Sequence, residues 1–436
     1  MTDHNALLRT ICQSPDDDVP RLIYADFLEE TGEAARAEFV RAQVELARTP
    51  NWEPFAVLCR NRKLEWSEAG EPFRASLPPL GPDVTWHARP FRRGLGWRVN
   101  VRSLHTWNDI APRLYEFAPV GELYLNPPAT RDDWRAFASG EWVKRFRVIH
   151  LGGGSPVEPI RALCENPDAC GITDIHFHRA SSPGLPELLE DLLATPLGKG
   201  LKGLHFSAGY EWRDLLMETL GNADIALERL TFRTMLLFDE WIDRLLQMPL
   251  ARRLIELTLH NDRVGYRPEQ SERHVDWFAR LPETIRHLDL DQSHLTEPDL
   301  ESLANQNALR GLRSLDLSRN PRAGYVDLPT GGALYDSEIL SGVRVLGLRE
   351  VPSRDGLLAR VASSQFWPGL VSLDLRGVYD FGIKSRSMQR PEHLTALWMD
   401  EHHRSGSAWL REQLGECVLF GSMNEWMDTV RTNVTS

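Results

Sequence analysis

A short pattern, apolar-x-x-apolar-x-apolar, returns along this chain at a nearly constant interval. Its middle residues are Leu123, Ile149, Ile175, Leu204, Leu230, Leu257, Leu288, Leu315, Leu346, Leu373 and Leu397, separated by 26, 26, 29, 26, 27, 31, 27, 31, 27 and 24 residues. A fixed period in the twenties restricts a chain to stacked copies of one small unit, a solenoid. Each triplet reads as a strand, because side chains alternate faces along a strand and the middle residue then shares its side with the residue two later. About twenty residues separate one strand from the next, enough for a turn, a helix and a return. Successive strands must then lie parallel and in register.

The segments between triplets carry the period and start signals of amphipathic helices: Pro186–Leu193, Glu211–Leu220, Asp239–Leu246 and Thr296–Leu303. Proline and acids in the first turn suit the positive end of a helix. The runs Leu312-Arg-Ser-Leu-Asp-Leu-Ser-Arg-Asn320 and Ile285-Arg-His-Leu-Asp-Leu-Asp-Gln-Ser-His-Leu295 resemble the leucine-rich repeat family, over roughly residues 94–416. The asparagine that this family places five residues after the middle residue occurs here at Asn320, with Met235, Asp262, Val351 and Val378 at equivalent positions. The period and the helical inserts are similar to the longer, ribonuclease-inhibitor-like branch. The resemblance implies an α/β fold: a leucine-rich repeat solenoid with parallel strands on the concave face and helices on the convex face.

Residues 1–48 have a different texture, which fits three short helices interrupted by Asp16-Asp17-Asp18. Three acids ahead of a helix are expected to cap and solvate its positive end. The stretches Arg21–Gly32 and Ala37–Leu46 resemble the repeat-companion domain found at the front of leucine-rich repeat proteins in planctomycete bacteria, a domain that implies no activity. Residues 49–93, with Pro54, Pro72, Pro78, Pro79 and Pro82, read as a connector with one helix from Pro54 to about Glu68. Gly94–Val101 reads as an irregular first strand, and residues 417–436, with Phe420, Trp426 and Met427, as a closing cap and tail after the helix Ala408–Leu414. A solenoid needs such atypical ends to cover its open core.

Composition narrows the function. With 62 acidic against 50 basic residues the net charge is −12, which disfavours a nucleic-acid binder, because phosphate contacts need a basic surface. No run approaches the ~20 apolar residues of a membrane helix, and the start lacks the features of a secretory signal. Five scattered cysteines argue against a disulfide framework, and Cys164 and Cys170 read as packed thiols. The expectation is a cytoplasmic protein. No Walker loop, His-Glu-x-x-His, Gly-x-Ser-x-Gly or Cys-x-x-Cys is present, and Gly152–Ser155 reads as a turn, since no lysine follows where a phosphate loop needs one.

Residues next to the middle position must face away from the core, onto the concave side. One position later come Tyr124, His150, His176, His205, Asp289, Asp316, Asp374 and Trp398. Two further on come His178, His260, Asp291 and Asp400. Histidines gather in the first half and aspartates in the second. Strands ~4.8 Å apart would set His150, His176 and His205 in a row with His178 diagonal to it. These twelve residues are the candidate partner-binding set, with Tyr124 and Trp398 as exposed aromatic anchors and the aspartates steering a basic surface. The expected function is a non-catalytic scaffold that binds a protein on the concave face, without cofactor or metal. The alternatives are a metal-dependent enzyme using the histidine row, and a spacer presenting the N-terminal helices.

Overall fold

The computed structural model describes residues 3–61, 72–152, 155–178, 184–207, 213–234, 237, 239–260, 276–295, 297–320, 332–351, 356–378, 389–400 and 408–420. The chain forms two compact units: residues 1–50 with 59–225, and residues 51–58 with 226–436.

In the first unit the strands are β1 (Val84–Trp86), β2 (Phe91–Arg92), β3 (Leu95–Gly96), β4 (Arg98–Val101), β5 (Glu122–Leu125), β6 (Val148–Leu151), β7 (Asp174–His178) and β8 (Gly203–Ser207). From β4 to β8 they run parallel in chain order, and the register aligns the sequence period residue for residue. Val99 pairs with Leu123, Leu123 with Ile149, Ile149 with Ile175, and Ile175 with Leu204. Helices Leu104–Leu114, Arg131–Ala138, Val157–Cys164 and Leu185–Ala194 return the chain between strands. The second of these opens on a capping box, in which Thr130 accepts from the Asp133 backbone and Asp133 from that of Thr130.

β1 pairs antiparallel with β4, Val84 opposite Val101, and β2 with β3 form a small hairpin beside it. The segment expected to be a plain connector thus contributes a strand that ends the parallel sheet. Such a strand shields a ladder of N–H and C=O groups that would otherwise template foreign strands.

The three N-terminal helices are α1 (Asp3–Gln13), α2 (Val19–Glu30) and α3 (Ala34–Arg48). They share one apolar cluster, which includes Ile11, Tyr24, Leu28 and Val40 and reaches Leu95 of β3. Gly94, at φ +81°, lies against Val40 so closely that a Cβ would collide with it, and its N–H donates to Gln43 Oε1 at 2.6 Å. Of the acids before α2, Asp17 accepts from the Val19 N–H at the helix start, at 2.9 Å, while Asp18, at the N-cap position, makes no capping bond. Asp18 is buried and forms ion pairs with Arg48 at 2.7 Å and Arg93 at 3.3 Å, while Asp16 takes Arg147 at 3.0 Å. They fasten the helices to the first repeats.

The second unit contains β9 (Arg229–Arg233), β10 (Glu256–His260), β11 (His287–Asp289), β12 (Ser314–Asp316), β13 (Val345–Gly347), β14 (Ser372–Asp374), β15 (Ala396–Met399) and β16 (Val418–Phe420), all parallel in chain order. Leu230, Leu257, Leu288, Leu315, Leu346, Leu373 and Leu397 again align. Helices Asp239–Gln247, Glu297–Asn305, Gly332–Asp336, Leu357–Ser363 and Ala408–Leu414 lie between strands. At the described positions of this unit four residues after a middle residue the backbone turns left-handed: Thr234, Gln292, Arg319, Glu350 and Gly377 have φ of 59°, 58°, 53°, 53° and 75°. Outside glycine this conformation costs roughly 1–2 kcal/mol. At Arg319 the following residue offsets it. Fully buried Asn320 donates to the carbonyls of Leu290, Leu317 and Ser318 and accepts from the N–H of Leu295. Val351 and Val378, at the equivalent position of the next repeats, are buried as well.

The leucine spine is the core. Ile175 is 0% and Leu315 1% exposed, and truncating one such residue to alanine typically costs about 2–5 kcal/mol. The expected 54–68 helix is described as α4 (Pro54–Asn61), with residues 62–68 outside the described residues. The closing cap appears as the helix Ala408–Leu414 and β16, while Trp426 and Met427 also lie outside. Among the described residues no helix is long and apolar enough to cross a membrane. All five cysteines are thiols, but Cys170 is exposed and Cys164 half-buried, so the packed reading fails for Cys170.

Candidate functional site

Parallel pairing in register makes each strand position a column running across the sheet. In the first unit the column after the middle residue is a stack of rings. His87, from the turn after β1, lies on Tyr124 with centroids 4.3 Å apart. Tyr124 lies on His150 at 3.9 Å, His150 on His176 at 4.1 Å and His176 on His205 at 3.9 Å, with interplanar angles of 3°, 7°, 17° and 3°. The strand spacing imposes this contact, because neighbouring strands ~4.8 Å apart leave flat rings little more than their own thickness. His178 sits beside the column, 5.4 Å from the His150 centroid.

Beneath the rings, one residue before each middle position, lies a second column that the sequence reading passed over. Glu122, 1% exposed, accepts from Arg98 Nε at 2.7 Å, from Tyr124 hydroxyl at 3.0 Å and from His150 Nε2 at 3.1 Å. Burial alone would raise its pKa. The Arg98 guanidinium, with the His150 hydrogen bond, outweighs burial and holds the carboxyl far below the usual range. Two strands further along the column, beyond Val148, Asp174 faces His205 Nε2 at 3.5 Å, and Gly203 leaves the room its carboxylate needs. His87 is pushed down to about 4, by burial first and the Arg98 charge second. Burial, and then the charge of Glu122, raises the Tyr124 phenol. Glu122 and Asp174 were findable by the alternation rule that gave the first column, applied in the other direction.

In the second unit the same columns hold charges. Asp291 takes Arg319 through both oxygens, at 2.8 and 2.5 Å, and Arg349 at 3.4 Å. Arg319 also reaches His260 Nε2 at 3.1 Å. Asp374 takes Arg376 at 3.0 and 2.8 Å, and that guanidinium lies 5.3 Å from the Trp398 ring. Asp289 accepts from the Asp291 N–H, Asp316 from the Ser318 N–H and Asp400 from the Gly377 N–H. Among the described residues no guanidinium is paired with Asp316. Burial, and then the charges of Asp289 and Asp291, push its pKa well above the carboxylate range.

The twelve candidates therefore all lie off the core, yet few are displayed as expected. Tyr124, His178 and Asp400 are half-buried, and the other nine are buried. Each side chain is covered by its neighbours in the column. The aspartates do not form a free acidic surface, because Arg319 and Arg349 pair with Asp291 and Arg376 with Asp374. Trp398 is no exposed anchor. Inside the second unit it forms an apolar cluster with Val57 of α4, Val345, Val371 and Ala396, flanked by Trp52 and Leu419. A segment from the connector thus lies on the polar side of β13–β15. Of the helical tryptophans read as core, Trp134 and Trp277 are buried, Trp241 is half-buried and Trp212 lies outside the described residues.

Parallel strands in register, most of them returning through a helix among the described residues, with a buried asparagine after the strand at 320, define a leucine-rich-repeat-like solenoid. Among solved structures, the yeast complex of Rad7 and Elc1 is similar at 15% identity, covering 88% of this chain and 95% of that one, with a TM-score of 0.46. A protein from Bacteroides fragilis is similar at 9% identity over 71% and 78% of the two chains, with a TM-score of 0.28. A leucine-rich repeat protein from Bacteroides eggerthii matches at 10% over 64% and 40%, with a TM-score of 0.21. No family model and no curated protein matches the chain.

Proposed function

We propose that the chain is a non-catalytic scaffold that holds a protein partner on the polar face of β5–β8. The observation that supports this reading is the ring column braced by Glu122. A surface whose side chains are already fixed by stacking and ion pairing loses little rotamer entropy on binding, so more of each contact becomes affinity. Tyr124 and His178 are its accessible points, with exposed Asn126 beside them. The net charge and the internal pairing of the aspartates favour a protein over a nucleic acid, and the same pairing weakens the case for a basic partner. The ribonuclease-inhibitor-like branch, a companion domain at residues 1–48 and a cytoplasmic location complete this reading.

Affinity capture from the native cell tests it, comparing the intact chain with Tyr124→Ala/His178→Ala. Loss of one reproducible partner in the double variant is the expected result. If that partner is retained there but lost in Val19→Asp/Ile23→Asp, which alters exposed positions of α2, the scaffold is instead a spacer for the N-terminal helices.

A further inference from the structure

From the clustering of His150, His176 and His178, with His150 held from behind by buried Glu122, we infer a transition-metal site, of the type that takes Zn²⁺, on the polar face of β6 and β7. One nitrogen from each of the three histidines lies within 4.8 Å of the other two. His150 Nδ1 and His178 Nε2 are 3.1 Å apart. That contact is a hydrogen bond between nearly coplanar rings, and tetrahedral zinc, with Zn–N bonds of about 2.0–2.1 Å, holds its ligand nitrogens roughly 3.3–3.4 Å apart, so a bound ion would replace the bridging proton, part the pair by a few tenths of an ångström and turn both lone pairs toward itself. The third nitrogen must approach by at most about 1.5 Å, which a tilt of the His176 ring out of the stack supplies, since the terminal torsion of histidine is broad.

Three imidazoles alone are a weak argument, and the second sphere is what strengthens it. Metal-binding histidines hand their other N–H to a carboxylate, which fixes the tautomer and raises ligand basicity. Glu122 does this to His150 Nε2 at 3.1 Å, and Arg98, at 2.7 Å, keeps it ionised for the task. His150 must then carry its proton on Nε2, leaving Nδ1 as a lone pair directed toward His178. Three neutral nitrogens with no thiolate and no first-sphere carboxylate suit zinc, cobalt, nickel or copper rather than calcium or magnesium. The fourth position would be left to water or to a group on the bound partner, so the metal adds an anchor to the proposed scaffold without requiring that function.

The full-length chain, stripped with EDTA and dialysed, is titrated with Co²⁺ and then Zn²⁺. One cobalt per chain, with the visible bands of a four-coordinate site that zinc abolishes, is expected. His178→Gln and His176→Gln should each weaken binding at least tenfold, and Glu122→Gln about 10–100-fold. His105→Gln, on an exposed helix position, should change nothing. Should Glu122→Gln fail to fold, half-exposed His178 still decides. Absence of the cobalt bands, or cobalt binding unchanged in His178→Gln, overturns the site. Partner capture by metal-free protein is read separately, so either proposal can fail alone.

Discussion

The polar faces of the two units are built on one backbone plan and hold opposite solutions to the same problem. In-register parallel strands force like positions to within ~5 Å of each other. Rings tolerate that distance and stack, as from His87 to His205. Carboxylates do not. The aspartates of the second unit persist because Arg319 and Arg349 reach from later repeats to Asp291 and Arg376 pairs with Asp374 beside it, because Gly347 opens space beside Asp316, and because burial and the neighbouring carboxylates raise the pKa of Asp316. A solenoid can therefore repeat an aromatic residue along a column at little cost, but it repeats a charge only with a counter-charge, a gap or a shifted pKa.

The largest effect that separates the two solutions should come from the brace of the ring column. Glu122→Ala removes the buried carboxylate shared by Arg98, Tyr124 and His150. Denaturant unfolding should show a loss of about 3–5 kcal/mol, and a loss under 1 kcal/mol would mean the rings hold themselves. In the second unit, Trp398→Ala removes the centre of the Val57 cluster and should cost about 3 kcal/mol. Limited proteolysis should then cut faster near residues 51–58. Asn320→Ala strands several buried backbone groups, for a loss of about 3 kcal/mol by the same measurement.

Two smaller effects concern protons and run in opposite directions. His87 has a lowered folded pKa, so its contribution is complete above about pH 6.5 and is lost as pH falls through about 4. His87→Phe should flatten the fall in melting temperature across that window. Asp316 has a raised folded pKa, so its contribution is complete below the ordinary aspartate range and disappears as pH climbs through the raised value. Asp316→Asn should raise the melting temperature at pH 8 and leave it unchanged near pH 3.5.

The spine was legible from sequence because hydrophobic period and strand register are the same fact seen twice: Leu123 through Leu204 predicted the pairings within β5–β8, and Leu230 through Leu397 those within β9–β15. Which face His176 and Asp316 take followed from alternation alone. What could not be read was how they are covered. Exposure on this face depends on the lengths of side chains one repeat away, such as Arg319 reaching back to Asp291, and on the 51–58 segment lying over β13–β15. Neither leaves a local pattern. The strand Val84–Trp86 was hidden by prolines around it, and Asp18 looked like a cap because its partner Arg48 is a whole helix away.

Val57 carries a consequence for assembly. A linear array normally lets each coil settle on the one before it, with only nearest neighbours in touch. Here a piece made early in synthesis completes a layer made last, from the opposite end of the chain. The closing step of folding must therefore wait for a large loop to shut, which slows it. A fragment beginning at residue 226 would carry β13–β15 with Trp398 deprived of its cover, prone to stick to other chains.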